Sequence, residues 1–377
     1  MNNEKNRVTK IGIVFPKNSS AIFDPSSSET YGGATVQMYL IAEELAKHTK
    51  TDVTSLVVSF GLNDGDIISG FKIQNTFTKN DYFALRTIKF HKAIMKAKPE
   101  VIIQHGLTVY SCLLAVYCKL MKIKFVYMFA HDVEAEGYYQ TSRKKASLFK
   151  LLIKYTDIII TQNKHQHDIL LNSVNRNSII LYNGFPIISL PPVKKEHILW
   201  VARCDKWKCP EKFIRLASLN KNYKFVMVCN ESTNEKHYLQ IKTMANIVDN
   251  LHFLSHVPTD QMEDIFQKSL LLVNTSDDEG FPQVFIQAAI CKTPIISLNV
   301  NPDNFITKYE CGIYCAGDEC TMNESIDSLL RNKQKYNEFS NNAFDYAKEN
   351  HDIKLNVKKL LDLFQSSTNK EDIPDEL

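Results

Sequence analysis

Ser276-Asp-Asp-Glu-Gly-Phe-Pro-Gln-Val-Phe-Ile-Gln287 is the stretch on which the reading of this chain turns. It follows an apolar run at 270–274 with the length of a buried strand. It then sets Glu279, a Gly280-Phe281 turn and Pro282 where a helix should begin. Proline at the first helical position is free of penalty, because that N–H has no intrahelical acceptor. The unpaired amides and positive dipole end of such a helix favour an anion such as a phosphate. Glu279 beside that point accepts hydrogen bonds from hydroxyls, and Gln287, two turns on, offers both an acceptor and donors. A sugar phosphate is the expected occupant.

Outward from this segment the same rhythm repeats along the whole chain. Short apolar runs at 11–15, 53–59, 101–104, 125–129, 158–161 and 178–181 alternate with helical patterns at 35–47, 82–96, 109–121, 142–154 and 165–172. The second half continues with strands at 198–201, 224–228, 252–254, 270–274 and 294–298 and helices at 210–219, 235–248, 259–267 and 282–290. This order predicts an α/β fold of two Rossmann-like domains, each a parallel sheet covered by helices, facing each other across a cleft. A linker with three prolines at 185–195 separates residues 1–190 from 196–345. Residues 346–377 read as a C-terminal helix crossing back to the first domain, then a loose tail. In open parallel sheets ligands collect at the carboxyl ends of the strands.

The 377 residues are too many for one ordinary core, and 44% apolar with 23% charged residues is the make-up of a soluble globular protein. The most apolar window, 112–130, is broken by Lys119, Lys122 and Lys124, and residues 1–10 are polar, so neither a membrane span nor a signal peptide is expected. A cytoplasmic protein is the expectation, and the closing Pro-Asp-Glu-Leu is then no retention signal. Nine cysteines read as reduced thiols, since Cys311, Cys315 and Cys320 have no neighbouring His to complete a metal site. The net charge of +3 is uneven: 25 Lys and Arg face 15 Asp and Glu through Lys195, and 20 face 27 after it. A basic first half suits an anionic substrate or membrane surface; no nucleic-acid partner is expected.

Four further places can carry chemistry. Tyr31-Gly-Gly-Ala-Thr35 opens a helix after a long Ser/Pro-rich loop at 16–30, and Gly32 and Gly33 let the backbone approach a phosphate. His131 stands after the strand at 125–129, where it can touch a substrate hydroxyl, while Asp132 can cap the next segment. Arg203 closes a strand and Lys208 precedes the helix opened by Pro210, a guanidinium fork and a point charge for a diphosphate. Asp277 and Asp278 read as turn formers, and with cations at hand no metal or other cofactor is expected.

Together these features resemble the retaining glycosyltransferases of family 4, which have the GT-B fold. Glu279 to Gln287 is similar to that family's motif of two glutamates separated by seven residues, and Ala288-Ala-Ile-Cys-Lys-Thr-Pro-Ile-Ile-Ser297 continues the likeness. Ile198 to Lys208, Gly32-Gly33, Leu181-Tyr-Asn-Gly-Phe185 and His131 fall in the family's order. The resemblance implies transfer of a sugar from a nucleotide-diphosphate sugar to a glycan or lipid-linked acceptor, in cell-surface polysaccharide or glycoconjugate synthesis. It implies that Glu279 holds donor-sugar hydroxyls, Gly280, Phe281 and Pro282 line the sugar and nucleotide, and Arg203, Lys208, Gly32 and Gly33 meet the diphosphate. The chain departs from the family at Gln287, where the second glutamate grips the ribose. A non-catalytic nucleotide-sugar or glycan-binding partner of an active transferase, or a nucleotide-sugar epimerase, are the alternatives. A basic helix carrying Arg143, Lys144, Lys145, Lys150 and Lys154 beside Leu148, Phe149, Leu151, Leu152 and Ile153 suggests peripheral contact with an anionic membrane at its inner face.

Overall fold

The computed structural model describes residues 7–24, 32–136, 143–188, 191–232 and 234–366. The chain divides into two compact units, Met1–Pro186 with Asp352–Leu377, and Ile187–His351. Both are parallel-sheet α/β units.

The first unit holds β1 (Thr9–Val14), β2 (Thr51–Val57), β3 (Ile67–Ile68), β4 (Phe71–Asn75), β5 (Val101–His105), β6 (Lys124–Met128), β7 (Ile158–Thr161) and β8 (Ile179–Ile180). Their order in the sheet is β3-β4-β2-β1-β5-β6-β7-β8, and every adjacent pair is parallel except β3–β4. A parallel sheet is buried on both faces, so its strands are apolar throughout, and alternate residues go to opposite cores. Ile103, Val126, Met128 and Ile160 pack with the helix Gly33–Ala46, whereas Ile102, Phe125, Tyr127 and Ile159 pack with the helices Phe83–Ala97, Val109–Met121 and Arg143–Tyr155.

The terminal helix Ile353–Ser366 closes the first core with Ile353, Val357, Leu360 and Phe364. Its seat explains the Asn-Gly at 183–184. A Cβ on Gly184 would stand 2.8 Å from Ile353 Cδ1 and 2.9 Å from Ile353 Cα, so only glycine admits this approach. Gln37 holds the same backbone from the other side, donating to the Gly184 carbonyl at 3.2 Å and accepting its N–H at 2.8 Å.

The second unit holds β9 (His197–Arg203), β10 (Lys224–Asn230), β11 (Leu251–Leu254), β12 (Ser269–Asn274), β13 (Ile295–Ser297) and β14 (Gly312–Tyr314), all parallel, in the order β11-β10-β9-β12-β13-β14. The chain winds outward one way from β9 and the other way from β12, which makes the carboxyl ends of these two strands the topological switch point. The corresponding place in the first unit lies between β1 and β5.

The basic helix Arg143–Tyr155 places Phe149, Leu152 and Ile153 in the core against Val109–Met121. Three of the five apolar residues named for a membrane face thus serve packing, while Leu151 is 38% exposed. No helix among the described residues is long and apolar enough to cross a membrane. Residues 25–31, which include the end of the loop at 16–30, lie outside the described residues; before them the loop forms a short helix, Ser20–Phe23.

Candidate active site

At the switch point of the second unit, β9 ends in Arg203 and runs into a 3₁₀ turn, Lys206–Lys208, which Cys209 closes in the left-handed conformation at φ 48°. Pro210 then starts the helix Pro210–Leu219 at a position where its missing N–H costs nothing. β12 ends alongside, and two bonds clamp its loop to the turn. Thr275 Oγ1 accepts from buried Trp200 Nε1 at 2.9 Å and donates to the Lys208 carbonyl at 2.8 Å. The Asp277 amide donates to the Trp207 carbonyl at 2.8 Å. The positions of Lys208 and Glu279 are thus set by one network.

Lys208 Nζ lies 2.5 Å from Glu279 Oε2, with the two side chains only 12% and 13% exposed. The other carboxylate oxygen accepts from Ser276 Oγ at 2.6 Å and Asn274 Nδ2 at 3.0 Å. The ammonium also stands 3.9 Å from the centre of the Trp207 ring, a cation–π distance. Burial lowers the Lys208 pKa, and the Glu279 carboxylate opposes that shift. Arg203 differs in kind: its side chain is about half exposed and pairs with Asp205 at 2.9 Å, leaving the guanidinium at the surface.

The chain then turns through Gly280 and Phe281. The Phe281 ring is buried against Phe305 at 5.1 Å and His351 at 4.8 Å between ring centres, so its side chain anchors the turn. Pro282 is not the first helical residue but the N-cap, with extended ψ of 122°, and the helix runs Gln283–Ile290. Gln287 is its fifth residue, a little over one turn along rather than two. It is half-buried.

The other expected residues belong to the first unit. Gly32 caps the helix Gly33–Ala46 in extended conformation, and a Cβ there would meet nothing within 4 Å. His131 is exposed, two residues after the strand-like Phe129, on the rim of a cavity of about 1000 Å³ at the carboxyl edge of the first sheet. Asp132 does not simply cap: its Oδ1 accepts from Asn163 Nδ2 at 3.0 Å and Gln166 Nε2 at 2.7 Å. Glu134 escaped sequence reasoning as a functional candidate. It is buried, and its carboxylate accepts from Tyr127 Oη at 2.9 Å and from the amides of Ala130 and Leu107, each at 3.2 Å. It therefore ties the loop after β5 to the loop after β6, which carries His131. Burial pushes its pKa up to about 7 despite those three donors. Among the described residues no group of three His, Cys, Asp or Glu is disposed to hold a metal ion.

Residues 186–346, the segment that builds the Lys208–Glu279 site, match the family model of glycosyl transferases group 1. The match spans nearly all of the second unit. No curated protein sequence matches the chain. Among solved structures, the sucrose-phosphate synthase of Thermosynechococcus elongatus superimposes with a TM-score of 0.77 at 14% identity, covering 96% of this chain and 99% of that one. Anabaena HepE in complex with UDP and glucose gives 0.74 at 15% identity, covering 95% and 100%. A glycosyltransferase from Rickettsia africae ESF-5 gives 0.74 at 14%, covering 97% and 100%. These likenesses extend beyond the group 1 domain to the first unit and show the GT-B fold.

Proposed function

We propose that this chain is a retaining glycosyltransferase that moves a sugar from a nucleotide-diphosphate sugar to a hydroxyl of a glycan or lipid-linked glycan. The observation that carries the reading is the buried Lys208–Glu279 pair at the strand ends of a group 1 domain. A lysine and a glutamate that neutralise each other in a half-closed site are a poor investment for stability alone, because desolvating both charges offsets most of their attraction. A donor resolves the pairing by giving each a separate role. The diphosphate takes the Lys208 ammonium, and the sugar hydroxyls donate to Glu279, which Ser276 and Asn274 already hold in place. Arg203, at the surface, guides and covers the same phosphates. The amides at the start of Gln283–Ile290, presented by the Gly280–Pro282 turn, face the donor, and Gln287 reaches its ribose.

In the reaction the bond between the anomeric carbon and the diphosphate oxygen breaks, and charge builds on the departing diphosphate. Lys208 and the helix amides stabilise that charge in place, without the reorganisation that water would need. The acceptor oxygen forms its bond on the face the diphosphate leaves. Its proton passes to a diphosphate oxygen, so retention needs no strong protein base. His131, on the rim of the first unit's cavity, orients the acceptor hydroxyl, and the Gly32-Gly33 helix start offers amides to a phosphate. The proposed role requires no metal or other cofactor. A place at the inner membrane face, in cell-surface polysaccharide or glycoconjugate synthesis, fits the basic first half.

A panel of nucleotide sugars, screened by thermal shift and then by release of nucleoside diphosphate, tests the reading. One donor is expected to turn over, and Glu279→Ala should abolish transfer while the variant stays folded. Binding with neither transfer nor hydrolysis would favour a non-catalytic partner, and an altered free sugar would point to an epimerase.

A further inference from the structure

The cavity of about 1000 Å³ in the first unit differs in chemistry from the charged site of the second. Its floor is the carboxyl edge of the sheet, where Gln104, His105, His131 and Glu134 gather. Its walls are the helices Phe83–Ala97 and Val109–Met121, which contribute Ile88, Phe90, Ile94, Tyr110, Leu113 and Leu114. Arg86, Thr87 and His91 on the first helix and Tyr117 on the second add polar groups, but most of the lining surface is apolar. The apolar lining does not stop inside: Ile88 is 52% exposed, Val109 53% and Leu113 41%, so the same surface runs out to solvent along both helices. A closed core does not continue to the surface in this way, and a site built only for a sugar would be polar over most of its lining. The volume is at the upper end of ordinary ligand pockets, enough for a chain-like apolar group.

We infer that this cavity holds the hydrocarbon chain of an amphiphilic acceptor, with the hydroxyl-bearing head at the strand ends beside His131 and the chain running out between Phe83–Ala97 and Val109–Met121. The inference rests on the transferase reading for the word acceptor, and selects the lipid-linked class within it. The cavity itself is tested without any donor.

The probes are n-alkyl glycosides of four to eight carbons, kept below their micellar concentrations. They compete with an environment-sensitive fluorophore, N-phenyl-1-naphthylamine, for the full-length protein. Each added methylene that enters an apolar wall should tighten binding about fourfold. Ile88→Asp and Leu113→Asp, both at partly exposed positions that tolerate a charge, should flatten that dependence. Leu120→Asp, on the same helix as Leu113 at 76% exposure and away from the cavity, should leave it intact. Lys208→Met should also leave it intact while removing donor binding, so a failed transferase reading and a failed cavity reading give different results. Affinity that ignores chain length in the wild type, or an unchanged slope in both Asp variants, overturns the proposal.

Discussion

Lys208→Met is the substitution for which the structure allows a magnitude to be worked out. Methionine keeps the length of the aliphatic stem and deletes the ammonium, leaving Glu279 at 13% exposure without its counter-ion. Removing one member of a buried pair costs about 3–5 kcal/mol, because the remaining charge stays desolvated. Here the carboxylate keeps its bonds from Ser276 and Asn274 at 2.6 and 3.0 Å, which lowers the expected loss to roughly 2–3 kcal/mol. For a unit of this size that is a fall of about 5–10 °C in melting temperature. Glu279→Gln alone should cost less, about 1–2 kcal/mol, since the ammonium retains the Trp207 face at 3.9 Å. The double variant has no unpaired charge and should be more stable than the sum of the single losses predicts by about 1–2 kcal/mol. Urea denaturation followed by tryptophan fluorescence reads the correct unit, because Trp200 and Trp207 are the chain's two tryptophans and both belong to Ile187–His351. A Lys208→Met variant within about 0.5 kcal/mol of wild type, or strict additivity in the double variant, would refute the pairing as an energetic unit.

Three other outcomes are expected. Gln287→Glu should tighten nucleoside diphosphate binding several-fold by giving the ribose hydroxyls a charged acceptor; weaker or unchanged binding in calorimetry would remove Gln287 from the ribose. Gly184→Ala should destabilise the first unit by about 2–3 kcal/mol through the clash with Ile353, and a normal denaturation midpoint would show that the terminal helix can shift at no cost. Glu134, with a folded pKa of about 7 against an ordinary 4.5, binds a proton more tightly folded than unfolded. Stability should therefore fall as pH rises from about 4.5 to 7, by roughly 3 kcal/mol in all, and Glu134→Gln should flatten that slope; parallel curves for the two proteins would contradict it.

The parallel α/β character was legible because buried parallel strands are apolar without interruption, as in Ile158–Thr161, and the helices between them are long. The β3–β4 hairpin was not read, although Ser69-Gly70 between Ile67-Ile68 and Phe71 is a turn signal: both residues take positive φ, 46° and 88°, as a two-residue hairpin turn requires. Two- and three-residue strands such as β3 and β14 are too short for periodicity to show. Glu279 and Lys208 could be singled out from their places at strand and helix ends. Their contact could not, since 71 residues separate them and only the pairing of β9 with β12 brings those ends together. Glu134 was hidden for a related reason. Its partners Tyr127 and Leu107 stand 7 and 27 positions away, and nothing local marks it as a side chain that turns inward to them.

Both units wind outward from a central pair of strands, so backbone topology alone places a ligand site at the same point in each, above β1 and β5 and above β9 and β12. Topology does not choose what binds there. In the second unit Lys208 and Glu279 meet at a half-closed site where charge is costly unless answered, and on the proposed reading a phosphate and sugar hydroxyls answer it. In the first, the equivalent edge is walled by Phe90, Ile94, Leu113 and Leu114, where an unanswered charge would be penalised and a hydrocarbon welcomed. On the proposed reading the acceptor's chemical class is set by the two helices Phe83–Ala97 and Val109–Met121, and relatives sharing only the fold need not share it.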